Sequence, residues 1–347
     1  MNINYKTLYG GLAALQRELR KEEWQGARYV ILLDGNTYRH CLPRLVGRVE
    51  ALREADFVEV PVGDECKSME VATQVWLMLL ESGADRDTVL VDLGGGAVCD
   101  LGGYLAAGYH RGIRHINIPT TLLAMVDAAI GGKTAVNLGG VKNAVGHFYP
   151  AALTVVEPDF LDTLPDSELV GGIMEMVKTA AVCDPALYAR LLSATHPVGR
   201  RAIQTAARLK TRVVKADPFD HGIRHILNFG HTFGHAVEIH CHLSHGLAVG
   251  VGMKAAMYLS VKKLGLAEAV YTSYARWLDA ELASIGQTLP APGLNDIEQM
   301  LPLMHRDKKN SGGELRCVLL QALGAAVIDV AVSDNEVRDA LLHIARL

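Results

Sequence analysis

The first half of the chain alternates short apolar runs with longer amphipathic stretches. The apolar runs are compact enough to predict buried strands, and each ends in a polar or glycine-rich segment. Strand, polar loop and helix, repeated along this half, predict a parallel α/β sheet. In such sheets, ligands bind at the carboxyl ends of the strands. The predicted strands are 29–33, 57–60, 88–93 and 116–118, and the predicted helices are 37–55, 69–81 and one that starts near residue 100.

From about residue 167 the strand pattern fades and amphipathic helical patterns predominate. This change predicts an α/β domain over residues 1–162 and a mostly helical domain over residues 163–347. Near the C-terminus, two short strands are predicted at 315–320 and 325–330. The predicted helices of this half are 168–182, 186–193, 200–215, 231–240, 248–263 and 275–285.

Composition narrows the class of protein. Of the 347 residues, 50% are hydrophobic and 21% are charged, which is typical of a globular protein with a sizeable core. The net charge of −4 gives no reason to expect nucleic acid or an anionic membrane as a partner. No apolar run approaches the roughly 18 residues that a membrane span needs, and the first residues lack an apolar signal core. The six cysteines are scattered, as expected for reduced thiols in a cytoplasmic protein.

A histidine-rich stretch at 227–246 is the strongest candidate for chemistry. His231 and His235 are four residues apart and Glu238 follows three residues later, so all three would share one face of a helix. His245 follows after a break that could fold it back. Imidazoles that converge with a carboxylate indicate a divalent metal site, with zinc as the favoured ion. The alternative is a histidine pair that serves only as a hydrogen-bonded structural feature.

A glycine-rich loop at 94–103 follows a predicted strand and opens a predicted helix. Glycines at this place let backbone N–H groups approach a pyrophosphate, although a tight packing turn would need them too. Asp34 and Asn36 follow the first strand, where they could bind adenosine hydroxyls or could simply form a turn. Thr120 and Thr121 could donate to ligand oxygens or cap the next helix.

Charged residues recur in apolar surroundings, where an unpaired charge is costly. Asp127 and Lys133 lie among small and apolar residues, although they could also be ordinary solvated loop charges. The segment 131–134 lacks the spacing of a Walker loop and follows no clear strand, so that interpretation is rejected. Basic groups that converge on a pocket indicate a substrate with phosphate and carboxylate groups. The candidate basic residues are Arg111, Lys133, Lys142, Lys178, Lys210 and Arg224.

These blocks together resemble the 3-dehydroquinate synthases, which are sugar-phosphate cyclases of the shikimate pathway. The resemblance covers about residues 29–320. Its most specific parts are Gly-Gly-Gly with Asp100, Arg-Gly-Ile at 111–113, and Pro-Thr-Thr-Leu-Leu-Ala at 119–124 with Asp127. The other parts are Gly-Gly-Lys-Thr-Ala-Val-Asn at 131–137, the segment 139–143, Glu-Met-Val-Lys at 175–178, and Leu-Asn-Phe-Gly-His-Thr-Phe-Gly-His at 227–235.

The resemblance implies a Rossmann-like N-terminal domain, a helical C-terminal domain and an active site in the cleft. It also implies a homodimer that uses NAD and Zn²⁺ or Co²⁺. The implied metal ligands are Glu175, His231 and His245. The implied catalytic residues are Lys133, Lys178, Lys210, Asn228 and His235, and further substrate-binding residues are Arg111, Asp127, Lys142, Asn143, Arg224 and Lys309. Arg111 would reach the substrate of the partner subunit. The implied NAD-binding residues are Asp34, Asn36, Asp64, Lys67, Gly95, Gly96, Asp100, Thr120, Thr121, Lys133, Lys142 and Thr163.

The reaction implied is conversion of 3-deoxy-D-arabino-heptulosonate 7-phosphate to 3-dehydroquinate and phosphate, by transient oxidation, elimination, re-reduction and ring closure. The alternatives are another sugar-phosphate cyclase, a metal- and NAD-dependent polyol dehydrogenase, and a non-catalytic binding protein. Two positions depart from the family pattern. Asp64 and Glu65 both follow Gly63, so either carboxylate could meet the cofactor, and Leu247 stands where related sequences carry Glu after His-Gly.

Overall fold

The computed structural model describes residues 6–194, 198–305 and 315–344. The chain divides into two compact units, Met1–Leu164 and Pro165–Leu347. The predicted boundary lies two residues earlier, within the short 3-10 helix Pro158–Thr163. The first unit is α/β, and the second is mostly helical.

A parallel sheet forms the centre of the first unit. Its strands are β1 (Thr7–Leu8), β2 (Tyr29–Asp34), β3 (Asp56–Val60), β4 (Val89–Gly94), β5 (His115–Pro119) and β8 (Leu153–Val155), in the order β1-β8-β5-β4-β2-β3. Strands β6 (Lys133–Leu138) and β7 (Val141–Phe148) form a separate antiparallel hairpin. The helices of this unit are α1 (Gly11–Leu19), α2 (Gly35–His40), α3 (Leu42–Arg48), α4 (Met69–Glu81) and α5 (Gly96–Gly108).

The four predicted strands and the helix at 69–81 are confirmed. The single predicted helix at 37–55 is wrong, because the chain breaks at Cys41 between α2 and α3. Pro43 stands in the first turn of α3, where the missing N–H is tolerated, but it could not continue a helix through that point. β1, β8 and the β6–β7 hairpin were not predicted. In the hairpin, Gly139 and Gly140 both have positive φ and form the tight turn.

The core of the first unit lies where the sheet meets α4 and α5. Leu32 and Leu90 from the sheet are fully buried, as are Leu101 and Leu105 from α5. This burial fixes the carboxyl ends of β2, β4 and β5 along one edge, because the three strands are adjacent and parallel. The segments that follow those ends are the predicted ligand-binding segments.

The second unit is built around two helices that are buried on all sides over most of their length. Residues 170–182 of α6 and 246–260 of α10 are buried without interruption. The helices are α6 (Asp166–Cys183), α7 (Pro185–Ser193), α8 (Arg200–Ala216), α9 (His231–Cys241), α10 (His245–Leu264), α11 (Glu268–Ser284), α12 (Leu294–His305) and α13 (Asp334–Leu342). The predicted C-terminal strand pair is confirmed as β9 (Leu315–Ala322) and β10 (Ala325–Val332). Helices α12 and α13 were not predicted.

Two further observations bear on the class of protein. No helix of the described segments is long and apolar enough to span a bilayer. All six cysteines are free, and each is buried or half-buried. Burial raises the pKa of the Cys41 and Cys66 thiols to about 12.

Candidate active site

Glu175, His231 and His245 come together within the second unit. Their ligand atoms all lie within 4.8 Å of one another. His231 Nε2 is 3.9 Å and His245 Nε2 is 3.6 Å from the same oxygen, Glu175 Oε1. One carboxylate and two imidazoles form the donor set that is typical of a zinc site with an open position. The three residues named through the family resemblance therefore form one cluster.

Backbone contacts between helices hold this cluster in shape. A Cβ added to Gly246, which directly follows His245, would lie 2.3 Å from the carbonyl oxygen of Gly171 on α6. A Cβ added to Gly252 on α10 would lie 2.1 Å from the carbonyl oxygen of Gly230, which precedes His231. The helices approach this closely only because these positions carry no side chain. The glycines therefore set the spacing of the three ligands.

The carboxylate of Glu175 fits a cation. Its side chain is completely buried, and Oε1 has no hydrogen-bond partner among the described residues. The ammonium group of Lys178, one turn further along α6, forms an ion pair with Oε2. Oε1 is the oxygen that lies near Nε2 of both His231 and His245. A buried carboxylate oxygen without a hydrogen-bond donor is costly, and a metal ion held between these three donors would remove that cost.

Each histidine of the cluster is held through its other ring nitrogen. His231 Nδ1 lies 3.4 Å from the carbonyl oxygen of Phe229, and His245 Nδ1 lies 2.9 Å from Glu238 Oε2. Burial works against a charge on His245, but the hydrogen bond to Glu238 and the charge of Glu175 raise the pKa of its imidazole overall. Glu238 shares the face of α9 with His231 as predicted, yet it contacts His245 and is not part of the three-residue cluster. Sequence spacing alone did not reveal that contact, because it depends on where α10 begins.

The basic residues predicted for substrate binding in this unit are largely buried. Lys178, Lys210 and Arg224 are each less than 10% exposed, and Asn228 is half-buried. His235 is exposed, and its ring centroid lies 5.4 Å from that of His231 and 5.8 Å from that of His245. His235 therefore stands beside the metal-type cluster with a free path to solvent.

A residue that the sequence interpretation missed shapes the loop before Arg224. Asp217 accepts hydrogen bonds from the backbone N–H groups of His221, Gly222 and Arg224. The guanidinium of Arg224 donates to the carbonyl oxygen of Pro218 at 2.8 Å. Burial works against the ionised carboxylate, yet these backbone donors lower the pKa of Asp217 below its ordinary value. An aspartate just after a helix and before a proline is a recognisable turn signal.

In the first unit, three predicted site residues meet through hydrogen bonds. Lys67 Nζ donates to Asp100 Oδ2 and to Asn143 Oδ1, both at 2.6 Å. Lys67 is only 6% exposed, so its charge is satisfied by these partners and not by bulk water. The contacts join the start of α5 to the β6–β7 hairpin. At the surface, Lys142 Nζ lies 3.2 Å from Asp64 Oδ2. No ion pair of Glu65 is found among the described residues.

Some of the predicted nucleotide-binding residues lie at the carboxyl ends of adjacent strands: Asp34 ends β2, Gly95 follows β4, and Thr120 and Thr121 follow β5. Asp34 caps α2, accepting from the backbone N–H groups of Asn36 and Thr37. Gly95 is the N-cap of α5, and no side chain caps that helix start. Thr121 Oγ1 accepts from the N–H of Ala124, as a cap would. A helix that starts without a side-chain cap, beside glycines, suits the pyrophosphate of a dinucleotide.

The remaining predicted residues of the first unit belong to several different elements. Thr120 is buried just after β5, Gly96 opens α5, and Asn36 is exposed. Asp127 lies in a π-helical turn at Ala124–Ala128, Lys133 is exposed at the start of β6, and Thr163 is exposed at the end of a 3-10 helix. Lys309, predicted to bind substrate, lies outside the described residues.

Arg111 occupies an unusual stretch of backbone. His110, Arg111 and Gly112 have φ values of 48°, 68° and 116° in succession. Left-handed backbone is costly for residues with a Cβ, so it persists only where the surrounding structure imposes it. The strained turn leaves the Arg111 side chain exposed. This is consistent with its predicted role towards a partner, which stays a prediction.

Two family models together match residues 57–310 of the chain. The family model for the N-terminal part of 3-dehydroquinate synthase matches residues 57–171, and that for the C-terminal part matches residues 172–310. A 3-dehydroquinate synthase of Parabacteroides distasonis is 37% identical over 328 residues, covering 90% of this chain and 89% of the relative. One of Dehalococcoides mccartyi is 41% identical over 336 residues, covering 93% and 92%.

Solved structures show the same architecture. A 2-epi-5-epi-valiolone synthase of Streptomyces hygroscopicus, solved with NAD⁺ and Zn²⁺ bound, aligns with a TM-score of 0.84 at 25% identity, covering 99% of this chain and 98% of the other. A 2-deoxy-scyllo-inosose synthase aligns with a TM-score of 0.81 at 21% identity, covering 98% and 96%. The second likeness shows the fold alone.

Proposed function

This chain belongs to the 3-dehydroquinate synthase family, and on that basis we propose that it converts 3-deoxy-D-arabino-heptulosonate 7-phosphate to 3-dehydroquinate and inorganic phosphate. The observation that carries the proposal is the cluster of Glu175, His231 and His245 inside a chain that matches the family over both of its parts. The enzyme is a sugar-phosphate cyclase that uses NAD and a divalent metal, Zn²⁺ or Co²⁺. Its loss of phosphate would make it a carbon–oxygen lyase.

The residues of the second unit would hold the metal and the anionic groups of the substrate. When bound, the metal would supply a Lewis acid, and NAD a hydride acceptor that is restored within each turnover. Lys178, Lys210 and Arg224 would bind phosphate and carboxylate oxygens by charge-assisted hydrogen bonds. Their burial strengthens such bonds, because little water competes for the charge.

Proton transfer would fall to His235. It is exposed beside the cluster, and an imidazole can both accept and donate a proton. We propose that it binds the departing phosphate and passes a proton to it. Asn228 would orient the substrate by hydrogen bonding.

The residues of the first unit would bind the nucleotide. The uncapped start of α5 at Gly95 and Gly96 would receive the pyrophosphate, and Asp34 with Asn36 would bind the adenosine hydroxyls. Lys67, with Asp100 and Asn143, would fix the β6–β7 hairpin that carries Lys133 and Lys142. Asp64, Thr120, Thr121 and Thr163 would complete the cofactor site, and Asp127 would contact the substrate.

We also propose a homodimer in the cytoplasm. Exposed Arg111 on its strained turn would serve the partner subunit, and six free cysteines are compatible with a reducing compartment. Light scattering of the purified chain would report its mass. A monomer at catalytic concentrations would contradict the dimer.

One incubation tests the reaction. The protein is mixed with the heptulosonate phosphate, NAD⁺ and Zn²⁺, and both phosphate and NADH are followed. We expect one phosphate per substrate consumed and no net NADH. Glu175→Gln, which keeps the size of the side chain and removes the ligand charge, should abolish the metal-dependent rate. Wild-type turnover by that variant would refute the assigned metal site.

The same assay separates the alternatives. A polyol dehydrogenase would build up NADH in step with turnover and release no phosphate. The likeness to the valiolone synthase makes a sister cyclase the second candidate. A heptulose phosphate that lacks the carboxylate tests this candidate, since faster turnover of that substrate would favour it. The buried side chains of Lys178, Lys210 and Arg224 favour a substrate that carries the carboxylate.

A further inference from the structure

Glu238 makes a contact that the proposed reaction does not yet use. Its Oε2 lies 2.9 Å from Nδ1 of His245, and its side chain is only 12% exposed. Glu238 is on α9 and His245 is the first residue of α10, so the contact joins two helices. The short link between them passes through His242, whose φ of 54° reverses the chain. That reversal brings His245 back against Glu238.

The chemistry of the pair fixes where the imidazole proton sits. An ionised carboxylate can only accept hydrogen bonds, so Nδ1 of His245 must be the donor. In a neutral ring the other nitrogen, Nε2, then keeps its lone pair. That nitrogen is the one that lies 3.6 Å from Glu175 Oε1 in the metal-type cluster. The contact with Glu238 therefore selects the tautomer that a metal ion needs.

The packing of the two helices makes the contact rigid. Cβ atoms placed on Gly252 would lie 2.1 Å from the carbonyl oxygen of Gly230 and 2.5 Å from the N atom of Gly234. α9 and α10 thus touch through their backbones on the side that carries the cluster. A shift of α9 relative to α10 that separated Glu238 from His245 would therefore disturb this backbone contact.

We propose that Glu238 is a positioning residue for the metal site: it holds His245 in the Nδ1–H tautomer and aims Nε2 at the ion. The proposal rests on the metal use proposed above. Leu247, two residues beyond His245, is buried and apolar, so this position of α10 offers no carboxylate for the task. Glu238 supplies it from the neighbouring helix. Carboxylates that orient ligating histidines in this way are worth about 10- to 100-fold in metal affinity.

The test compares carboxylate changes at two His–carboxylate pairs, each of which joins α9 to a neighbouring helix. Glu238→Ala removes the acceptor, and Glu238→Gln keeps an acceptor oxygen but removes its charge. Asp296→Asn is the matched control, because Asp296 Oδ1 lies 3.3 Å from His240 Nε2, away from the cluster. Each full-length protein is stripped of metal and titrated with Zn²⁺ in competition with a chelating dye. Thermal unfolding of the metal-free proteins shows whether each variant folds.

We expect Glu238→Ala to bind Zn²⁺ about 10- to 100-fold more weakly, Glu238→Gln to show a smaller loss, and Asp296→Asn to match the wild type. Nitrogen-15 NMR of the metal-free proteins gives a second readout. It should find His245 as the Nδ1–H tautomer in the wild type and shifted towards Nε2–H in Glu238→Ala. If Glu238→Ala fails to fold, the affinity and tautomer of Glu238→Gln decide the matter.

Wild-type zinc affinity in the Glu238 variants, or an unchanged His245 tautomer, would overturn the proposal. A wild-type protein that binds no Zn²⁺ would overturn it together with the metal use on which it rests. If zinc binding responds as expected while the heptulosonate phosphate is not converted, the proposed reaction fails and the role of Glu238 stands. The two failures are therefore distinguishable.

Discussion

Replacing Gly252 with alanine should force α9 and α10 apart and weaken the metal site. The new Cβ would lie 2.1 Å from the carbonyl oxygen of Gly230 and 2.5 Å from the backbone N of Gly234. A tolerable contact needs roughly 3.2 Å, so the helices would have to separate by about 1 Å. His231 directly follows Gly230, and a displaced backbone would carry this ligand away from Glu175 and His245.

The cost can be worked from the same distances. Overpacking of a well-packed interior costs about 1–3 kcal/mol, and the upper end applies here because both neighbours are backbone atoms that cannot rotate away. Alanine recovers up to about 1 kcal/mol through its better helix propensity. The net loss should be about 2 kcal/mol. For a unit of this size, that corresponds to a fall in midpoint temperature of roughly 4–8 °C.

Two other glycines serve as graded controls. In Gly250→Ala the Cβ would meet Sδ of Met174 at 2.7 Å, at the movable end of a side chain, so the loss should be smaller. Gly47 in α3 has no atom within 4 Å of an added Cβ, so Gly47→Ala should stabilise the protein by up to about 1 kcal/mol. Calorimetry of the metal-free proteins and zinc titration measure the two effects. The reasoning is refuted if Gly252→Ala is as stable as Gly250→Ala and binds zinc equally well.

Two buried ionisable groups give predictions with a defined pH dependence. Lys254 is 1% exposed with no hydrogen-bond partner for Nζ in the described residues, and burial lowers its pKa, against the opposing charge of Asp279. Lys254→Met should therefore stabilise the protein by about 1–3 kcal/mol at neutral pH. Burial raises the pKa of Asp92 to about 6, against a 2.8 Å hydrogen bond from His115. The stability of the wild type relative to Asp92→Asn should therefore fall by up to about 3 kcal/mol between about pH 4 and pH 6.

The signs follow from which state binds more protons. The unfolded chain holds the proton of Lys254 more tightly than the folded chain, so the wild type gains stability as the pH rises and the advantage of Lys254→Met shrinks towards about pH 10. For Asp92 the folded chain holds the proton more tightly than the unfolded chain. The wild type therefore loses stability as the pH rises towards the pKa of about 6 that Asp92 has in the folded chain. Urea unfolding across these pH ranges measures both. The first prediction is contradicted if Lys254→Met is less stable than the wild type at neutral pH. The second is contradicted if the difference in stability between the wild type and Asp92→Asn does not change with pH.

The pattern of apolar residues predicts the longer strands of the sheet. The prediction fails where an element is short or interrupted. Apolar runs of three to six residues predict β2 to β5, whereas β1 has only two residues, too few for a pattern, and the three residues of β8 were not predicted. The break at Cys41 was missed because the apolar pattern continues across it, although Pro43 marks it. The Gly139-Gly140 turn is a signal that would have revealed the β6–β7 hairpin.

For the site, spacing along one helix was a partial guide. It grouped His231 with His235 and Glu238. Of these, only His231 belongs to the three-residue cluster, whose other members, Glu175 and His245, lie on two other helices. Only the family resemblance named that set, because no local pattern encodes contacts between α6, α9 and α10. The family resemblance did not indicate the contact between Glu238 and His245 either, since this contact depends on the reversal of the chain at His242.

The burial of the native cysteines makes the chain well suited to site-specific labelling. Four thiols are buried and those of Cys183 and Cys241 are half-buried, and burial raises the pKa of the Cys41 and Cys66 thiols to about 12 and that of the Cys183 and Cys241 thiols above the ordinary value, so alkylating reagents should attack them slowly. A single cysteine introduced at exposed Leu138, beside the turn of the β6–β7 hairpin, would react first. A fluorophore placed there could report how the hairpin responds to each ligand, with every native cysteine left in place.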